Sequence, residues 1–298
     1  MNNSPITFCI STHNNLNYLK LAVHSVRTYS HFKDAPFVIF AENCDKDETY
    51  VWLIENKEKY NLTTIIENNA EGTEVGIGGG MNECAKHVKT EYIMFLHSDF
   101  FVSRNWDLEC LNIFDKYPNT PMWISSHRFQ PNCFKENDRP GTIFFDYDIF
   151  GHKHDDFNER YFIEYSDEFS KLNPNIEIEK GEGVSGLIRK KDWDYIGGND
   201  KLFAPASWDD TDLFIRMQLA GYKFILTSNS VVFHFGARGS HFPDDNLNVK
   251  SDRQIKCEER NQKNFYKKWG FWPIHNQYGF VTYPPNIDTE KYNRLIKI

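Results

Sequence analysis

YIMFLHSD, at residues 92–99, is a run of five apolar residues that ends in three polar ones. The apolar part shows no alternation with polar positions, which is typical of a short strand buried on both faces of a parallel sheet. His97, Ser98 and Asp99 would follow the carboxyl end of that strand, where open α/β sheets bind their ligands. The stretch therefore predicts an α/β fold with chemistry at one sheet edge, although the tripeptide alone would also suit a plain polar loop.

Three similar units precede this stretch. Apolar runs at residues 6–10, 37–40 and 62–66 are each followed by a polar loop and then by a segment of helical character. Strand-then-helix units repeated in this way predict a parallel sheet with right-handed crossovers. The predicted fold class is α/β, with a Rossmann-like, mostly parallel central sheet flanked by helices, whose loops form one continuous edge.

The composition excludes several functional classes. The 298 residues are 40% hydrophobic and 16% aromatic, which is enough for a large core. A net charge of −8 offers no overall attraction for nucleic acid, so we expect no nucleic-acid partner. We find no apolar run of the roughly 18 residues that a transmembrane segment needs, and no signal-peptide pattern at the amino terminus. The six cysteines form no CxxC pair, so we expect a cytoplasmic protein.

The glycine-rich stretch at residues 76–80 does not match a dinucleotide-binding fingerprint. Such a fingerprint follows the first strand and has an acidic residue about 20 positions later, whereas this stretch follows the third predicted strand. Close approach of the backbone to a ligand and tight helix packing are the two uses of glycine that remain open here.

The second half contains an aromatic-rich region and a second acidic cluster. Residues 129–180 look irregular, and their aromatic side chains suit either stacking on a sugar-like ligand or a second core layer. Asp209, Asp210 and Asp212 crowd the predicted start of a helix, where one carboxylate would be enough as a cap. The carboxylates that are not needed as a cap lie beside Trp208, which is typical of a general base near a sugar. His234 ends a predicted strand, as a metal ligand or as a structural histidine.

The acidic residues that follow the predicted strands, taken in their order along the chain, resemble those of the family 2 glycosyltransferases. These are inverting enzymes of the GT-A fold that use nucleotide-sugar donors. The resemblance covers roughly residues 6–270 and rests on several short motifs. They are STHN at 11–14, ENCDKDET at 42–49, NN at 68–69, GGG at 78–80 with Asn82, HSD at 97–99, DDTD at 209–212, His234 and KWG at 268–270. His97 departs from the family because the first Asp of its DxD motif normally stands there, and Cys44 and Asp209 replace the usual glycine and the commoner glutamate.

The resemblance implies a role for each matched residue. Asp99, His234 and His97 would bind a divalent cation, Mn²⁺ or Mg²⁺, and the imidazoles favour Mn²⁺. Asp210 would be the catalytic base, with Asp209 as the second candidate. The donor would be a nucleotide-diphosphate sugar, with a UDP-sugar as the first choice. Its binding residues would be Thr12, Asn14, Glu42, Asp45, Asn69, Gly79, Asn82, His97, Ser98, Asp99 and Trp208.

The implied organisation is one GT-A domain over residues 1–250, followed by a helix and tail at 251–298. About 1–100 would bind the nucleotide sugar, and about 101–250 would bind a carbohydrate or glycoconjugate acceptor. Two alternatives remain. A catalytically inactive glycan- or nucleotide-sugar-binding module would account for the altered His97 position, whereas a sugar nucleotidyltransferase would need a glycine-rich basic loop that residues 11–17 do not provide.

Overall fold

The computed structural model describes residues 4–42, 48–69, 73–132, 142–174, 176–179, 183, 185–236, 238, 251–277 and 279–298. In this part of the chain the strands are β1 (Ile6–Thr12), β2 (Phe37–Glu42), β3 (Thr64–Asn68), β4 (Tyr92–His97), β5 (Phe100–Val102), β6 (Met122–Pro131), β7 (Thr142–Phe145), β8 (Glu177–Glu179), β9 (Gly186–Arg189), β10 (Lys223–His234), β11 (Ile274–His275) and β12 (Val281–Thr282). The α-helices are α1 (Leu16–Tyr29), α2 (Thr49–Glu55), α3 (Gly76–Lys86), α4 (Trp106–Lys116), α5 (Tyr147–Phe150), α6 (Glu159–Leu172), α7 (Lys190–Ile196), α8 (Asp209–Leu219) and α9 (Asp252–Trp269).

One large sheet forms the centre of the molecule. Its order is β3-β2-β1-β4-β9-β6-β10-β5, with β7 beside β6 and β8 beside β10. The strands β1 to β4 pair in parallel, as the repeated strand-then-helix units predict. β9 runs antiparallel to both β4 and β6 and so joins the two halves of the sheet. The predicted class, α/β with a mostly parallel sheet, is confirmed.

The central strands are buried on both faces. Phe8 and Ile10 of β1 lie in the core cluster that contains the apolar faces of α1 and α4. Cys9, between them, belongs to a second cluster with Phe95 of β4 and the apolar faces of α3, α7 and α8. Because both faces of these strands are buried against helices, their residues are almost all apolar. The strand at residues 92–97 could therefore be recognised from its apolar run.

The aromatic-rich region is a second core layer, and the prediction that it is irregular was wrong for much of it. It contains the 14-residue helix α6. Phe150 and Phe162 are fully buried in a cluster with Phe129 and Phe233. Of the two readings left open by the sequence, core packing therefore holds for most of the aromatic side chains in the described part of this region.

The strand that ends at His234 is longer than its apolar residues suggest: β10 runs from Lys223 to His234, with a shift of register between Thr227 and Val231. Thr227, Ser228 and Ser230 in its middle are buried rather than exposed in a loop. Ser230 Oγ lies 2.6 Å from Ser126 Oγ on the neighbouring strand. Because these hydroxyl groups find partners inside the protein, a polar run does not end the strand here.

Candidate active site

The ends of β1, β4 and β10 meet at one edge of the molecule. In the parallel pairing of β1 and β4, Ser11 lies opposite His97. β5 pairs antiparallel to β10, with Phe100 opposite His234. Asp99, in the turn between β4 and β5, is thereby placed beside the end of β10.

Asp99 is a buried carboxylate with a histidine and a backbone amide as neighbours. Its Oδ2 lies 3.4 Å from His234 Nε2 and accepts the Arg238 N–H at 2.9 Å. Burial alone would raise the pKa of Asp99. The charge and hydrogen bond of His234, the charge of His97 and the Arg238 N–H together outweigh burial and lower this pKa to about 2. Asp99 is therefore an anion at neutral pH.

Gln130 sets the orientation of the His234 ring. Its Oε1 lies 3.0 Å from His234 Nδ1, and because an amide oxygen can only accept, Nδ1 carries a proton. Nε2 then faces Asp99. Metal-binding histidines commonly donate their second ring N–H to an oxygen in this way.

The Asp99 and His234 pair fits a divalent cation as two protein ligands of an incomplete coordination shell. Carboxylate oxygen and imidazole both suit Mn²⁺, and Mg²⁺ is often bound by one or two carboxylates together with substrate phosphates. Among the described residues, no group of three or more His, Cys, Asp or Glu side chains is placed to hold a metal ion. A cation at this pair would therefore need further oxygens from a ligand or from water.

A cavity of about 540 Å³ connects this pair with the second acidic cluster. Its volume lies in the range of small-molecule sites, roughly 300–1,000 Å³. The predicted site residues in its lining are His97, Ser98, Asp99, Trp208, Asp209, Asp210 and His234. Two further lining residues, Arg128 and Arg238, were missed because neither stands in a recognisable motif. Guanidinium groups recognise phosphate well, so this end of the cavity suits an anionic ligand.

Asp212 is the structural member of the acidic cluster. It is fully buried, and its Oδ2 accepts a hydrogen bond from Arg216 Nε at 2.8 Å. Its Oδ1 lies 2.7 Å from Lys268 Nζ and accepts the Trp269 indole N–H at 2.8 Å. These contacts of Asp212 tie α8 to itself and to α9, and Asp212 is not among the residues that line the cavity.

Asp209 and Asp210 have different surroundings although they are adjacent. Asp209 is partly buried, and burial, followed by the Asp210 charge, raises its pKa to about 7. Asp210 is exposed, and its Oδ1 accepts the Thr211 N–H at 2.7 Å. A partly buried carboxyl group next to an exposed one is a common arrangement in acid–base catalysis.

The backbone just before this pair is strained and is held by α9. Ser207 and Trp208 have φ values of 72° and 70°, in the left-handed region that non-glycine residues rarely adopt. The buried Asn261 on α9 donates from Nδ2 to the carbonyl oxygens of Phe203, Ala206 and Ser207 at 2.6, 2.7 and 3.0 Å. The position of the acid pair thus depends on a helix near the carboxyl terminus.

The glycine-rich stretch packs against the same segment. Gly76 has a φ of +68°, and a Cβ there would lie 1.4 Å from the carbonyl oxygen of Pro205. A Cβ at Gly78 would lie 2.5 Å from Oδ2 of Asp209. Glycine therefore lets α3 approach the segment that carries the acid pair, which supports the tight-packing interpretation of this stretch.

Several other predicted donor-binding residues already have protein partners. Glu42 accepts the N–H groups of Val75 and Gly76, at 2.6 and 3.0 Å, at the start of α3. Asn82 exchanges two hydrogen bonds with the backbone of Asn199, at 2.8 and 2.9 Å. These contacts give Glu42 and Asn82 a structural role, and a further role at a ligand stays a prediction.

The remaining predicted residues are not in the lining of the main cavity. Thr12 lines a small neighbouring cavity together with Glu42, and Gly79 lines a separate one together with Asn82. Asn14 follows the cavity-lining His13, and Asn69 is an exposed residue beyond β3 whose amide donates to Glu67. Asp45 lies outside the described residues.

Comparison with known protein families identifies the chain. A family model described as Glycosyl transferase family 2 matches residues 7–180, more than half of the sequence. This chain belongs to that family. It is therefore a glycosyltransferase, as the short motifs predicted. A search of curated protein sequences finds no match to it.

Solved structures similar to this glycosyltransferase agree on its fold. The structure titled GalNAc-T7 with UDP, GalNAc and Mn²⁺ has a TM-score of 0.57 at 15% identity, over 78% of this chain and 44% of that one. TarS of S. aureus has a TM-score of 0.51 at 14% identity, over 77% of this chain and 36% of that one. The glycosyltransferase thus has the predicted GT-A fold, and the match spans less than half the length of either neighbour.

In the part of the chain described here, no helix combines the length and the apolar character that crossing a membrane requires.

Proposed function

We propose that this enzyme transfers a sugar from a nucleotide-diphosphate sugar to a hydroxyl group of a carbohydrate or glycoconjugate, with inversion at the anomeric carbon. One observation carries the proposal. The Asp99–His234 pair, two arginines and the adjacent carboxyl groups of Asp209 and Asp210 line the same cavity. Such a cavity can hold a leaving diphosphate and a proton acceptor at once.

The end of the cavity near Asp99 is the proposed site of the diphosphate. Arg128 and Arg238 bring positive charge to a phosphate group there. Nε and Nη2 of both already donate within the protein, to Thr142 Oγ1 and to the carbonyl groups of Phe235 and His152. Asp99 and His234 would hold Mn²⁺ or Mg²⁺, which when bound would offset the negative charge that develops on the leaving group. Glu42, Asp45 and the other predicted donor residues except Trp208 belong to the proposed nucleotide-sugar half, about 1–100. About 101–250, which contains Trp208, would serve the acceptor.

Asp210 is the proposed catalytic base. It is the exposed member of the acid pair and lines the cavity, so an incoming hydroxyl group can reach it. Asp210 would take the proton while the acceptor oxygen attacks the anomeric carbon from the face opposite the diphosphate. Asp209 is the second candidate, because a pKa of about 7 also suits a general base at neutral pH.

Nucleotide binding tests the donor half of the proposal. UDP and Mn²⁺ are the first probes, since one structural neighbour was solved with both. We expect UDP to raise the melting temperature in Mn²⁺ and much less in EDTA, and Asp99→Ala to remove this dependence on metal. Equal shifts in Mn²⁺ and EDTA would rule out a role for the cation in nucleotide binding. No shift with UDP or with other nucleotide diphosphates would contradict the proposal itself.

Substitution of each carboxyl group tests the chemistry. Asp210→Asn keeps the size of the side chain and removes its basicity, so transfer should fall by about 10²-fold or more while donor binding persists. The matched variant is Asp209→Asn, measured in the same single-turnover assay. Near-normal transfer by the Asp210 variant together with loss in the Asp209 variant would assign the base to Asp209. Failure of the unmodified enzyme to hydrolyse or transfer any nucleotide sugar would favour the inactive binding module.

A further inference from the structure

The end of the cavity beyond the acid pair is built by the carboxyl-terminal segment. Glu258 of α9, Pro273 and His275 line the cavity there, beside Trp208 and Asp210. These residues lie beyond the part of the chain that the family model matches, which ends at residue 180. The cavity thus has one end made by strand ends and another made by a segment that the family match does not describe.

A row of aromatic side chains leads from this end of the cavity to the surface. Trp208 lines the cavity, and its ring lies 6.2 Å from that of Trp272, measured between centroids. Trp272 in turn stacks on Tyr266 at 4.9 Å with an angle of 27° between the planes. We call Trp208, Trp272 and Tyr266 the aromatic row.

The outer two rings of the row are exposed although they are large and apolar. Tyr266 and Trp272 keep 47% and 46% of their surface accessible. The row is nevertheless anchored, because Trp208 packs with the buried Phe265 at 5.2 Å and belongs to the core cluster of α9. Anchored aromatic faces left open to water beside a cavity are a common feature of ligand sites.

We propose that the aromatic row is the binding subsite for a pyranose ring of the acceptor. A pyranose has one face of C–H groups, which can stack on an indole or phenol ring, and a rim of hydroxyl groups. Glu258 and His275 provide polar groups at the cavity for such hydroxyls. Because the row is continuous with the lining that carries Asp210, a ring stacked on it would belong to the molecule whose hydroxyl group is to be deprotonated. This inference rests on the proposed glycosyl transfer.

Saturation-transfer NMR with methyl pyranosides of glucose, galactose and N-acetylglucosamine tests the subsite. We expect saturation on the protons of one ring face of at least one pyranoside, and binding up to about ten-fold weaker in Trp272→Ala, the loss expected from removing an aromatic contact. Tyr195→Ala is the matched control, since Tyr195 is a similarly exposed aromatic residue, at 52%, on α7.

Three results would overturn the inference. The first is absence of saturation for all three pyranosides, and the second is equal binding by Trp272→Ala and the unmodified enzyme. The third is a change from dimer to monomer in Trp272→Ala, measured by light scattering, since the row would then be a contact between copies of the chain. UDP-dependent stabilisation in the same samples reports separately on the proposed function, because Trp272→Ala should leave it unchanged.

Discussion

Replacing Asp212 by alanine should destabilise the enzyme strongly, whereas replacing Asp210 should not. Asp212 and Arg216 are fully buried, and the Lys268 side chain is only 8% exposed. Removing the carboxylate would leave the buried cations of Arg216 and Lys268 without their shared anionic partner. It would also leave the Trp269 N–H without its acceptor. The two changes are two residues apart on the same helix, so they separate a structural carboxylate from a proposed catalytic one.

The magnitude follows from the partners that would remain. Removing one member of a buried ion pair typically costs about 3–5 kcal/mol. Arg216 would keep its hydrogen bonds to the carbonyl groups of Ile196 and Gly198, and Lys268 would keep its contact with Asp200. We therefore expect a loss of about 3–4 kcal/mol, a large fraction of the roughly 5–15 kcal/mol that stabilises a folded protein.

Urea unfolding followed by circular dichroism and tryptophan fluorescence measures this loss. We expect Asp212→Ala to unfold at a clearly lower urea concentration, and Asp212→Asn, which keeps an acceptor for Trp269, to lie between the alanine variant and the unmodified enzyme. Asp210→Ala should stay within about 0.5 kcal/mol of the unmodified enzyme, as exposed substitutions usually do. The same urea midpoint for Asp212→Ala and the unmodified enzyme, or an equal loss in Asp210→Ala, would refute this account of the cluster.

Three further predictions concern Asp209, Glu42 and Asn261. The pKa of Asp209 rises from an ordinary 3.8 to about 7 on folding, so the folded chain keeps a proton that the unfolded chain releases. Proton binding therefore stabilises the folded state at low pH, and this contribution is lost as the pH rises to 7. Urea midpoints of Asp209→Asn and the unmodified enzyme are to be compared at about pH 5 and about pH 8. The variant should be more stable relative to the unmodified enzyme at the higher pH, and the same difference in midpoint at both pH values would contradict this. Glu42→Gln should lower the free energy of unfolding by about 1–3 kcal/mol, because it disturbs two N–H contacts at the start of α3; an unchanged urea midpoint would argue against that role. Asn261→Ala should reduce kcat by up to about 10²-fold with little change in the donor KM, whereas Gln262→Ala, an exposed position on the same helix, should not; equal kcat values would show that α9 does not position the acid pair.

The first half of the fold could be predicted largely because both faces of β1, β2 and β4 are buried. Residues 92–96 are uniformly apolar for that reason, and the polar residues that follow mark the sheet edge. The second half follows a different pattern. In β10, buried hydroxyl groups such as that of Ser230 bond to neighbouring strands and look like a loop in the sequence. Aromatic residues in α6 suit a core and a ligand site equally well, so composition alone could not decide between them.

The site was predictable where it depends on strand ends and unpredictable where it depends on distant contacts. His234 and Asp99 are 135 positions apart in the sequence, and only the family resemblance placed them together. Gln130 and Arg238 carry no local signal, because an isolated glutamine or arginine acquires its partner only when the sheet forms. Glu42 was recognised as an acidic residue at a strand end, but its bonds to the start of α3 depend on how that helix packs.

The dependence of the acid pair on α9 follows from the strained backbone that precedes it. Two successive non-glycine residues in the left-handed region cost roughly 1–2 kcal/mol each, and such a conformation persists only when surrounding contacts hold it. Asn261 contributes three hydrogen bonds to this segment, and Gln254 donates a further one to Ser207 Oγ at 2.6 Å. A chain that ended before α9 would lose these contacts together with the partners that Lys268 and Trp269 provide to Asp212. The match to the family model ends at residue 180, yet the contacts that hold the segment before Asp209 and the helix that carries Asp210 come from residues as far as 269.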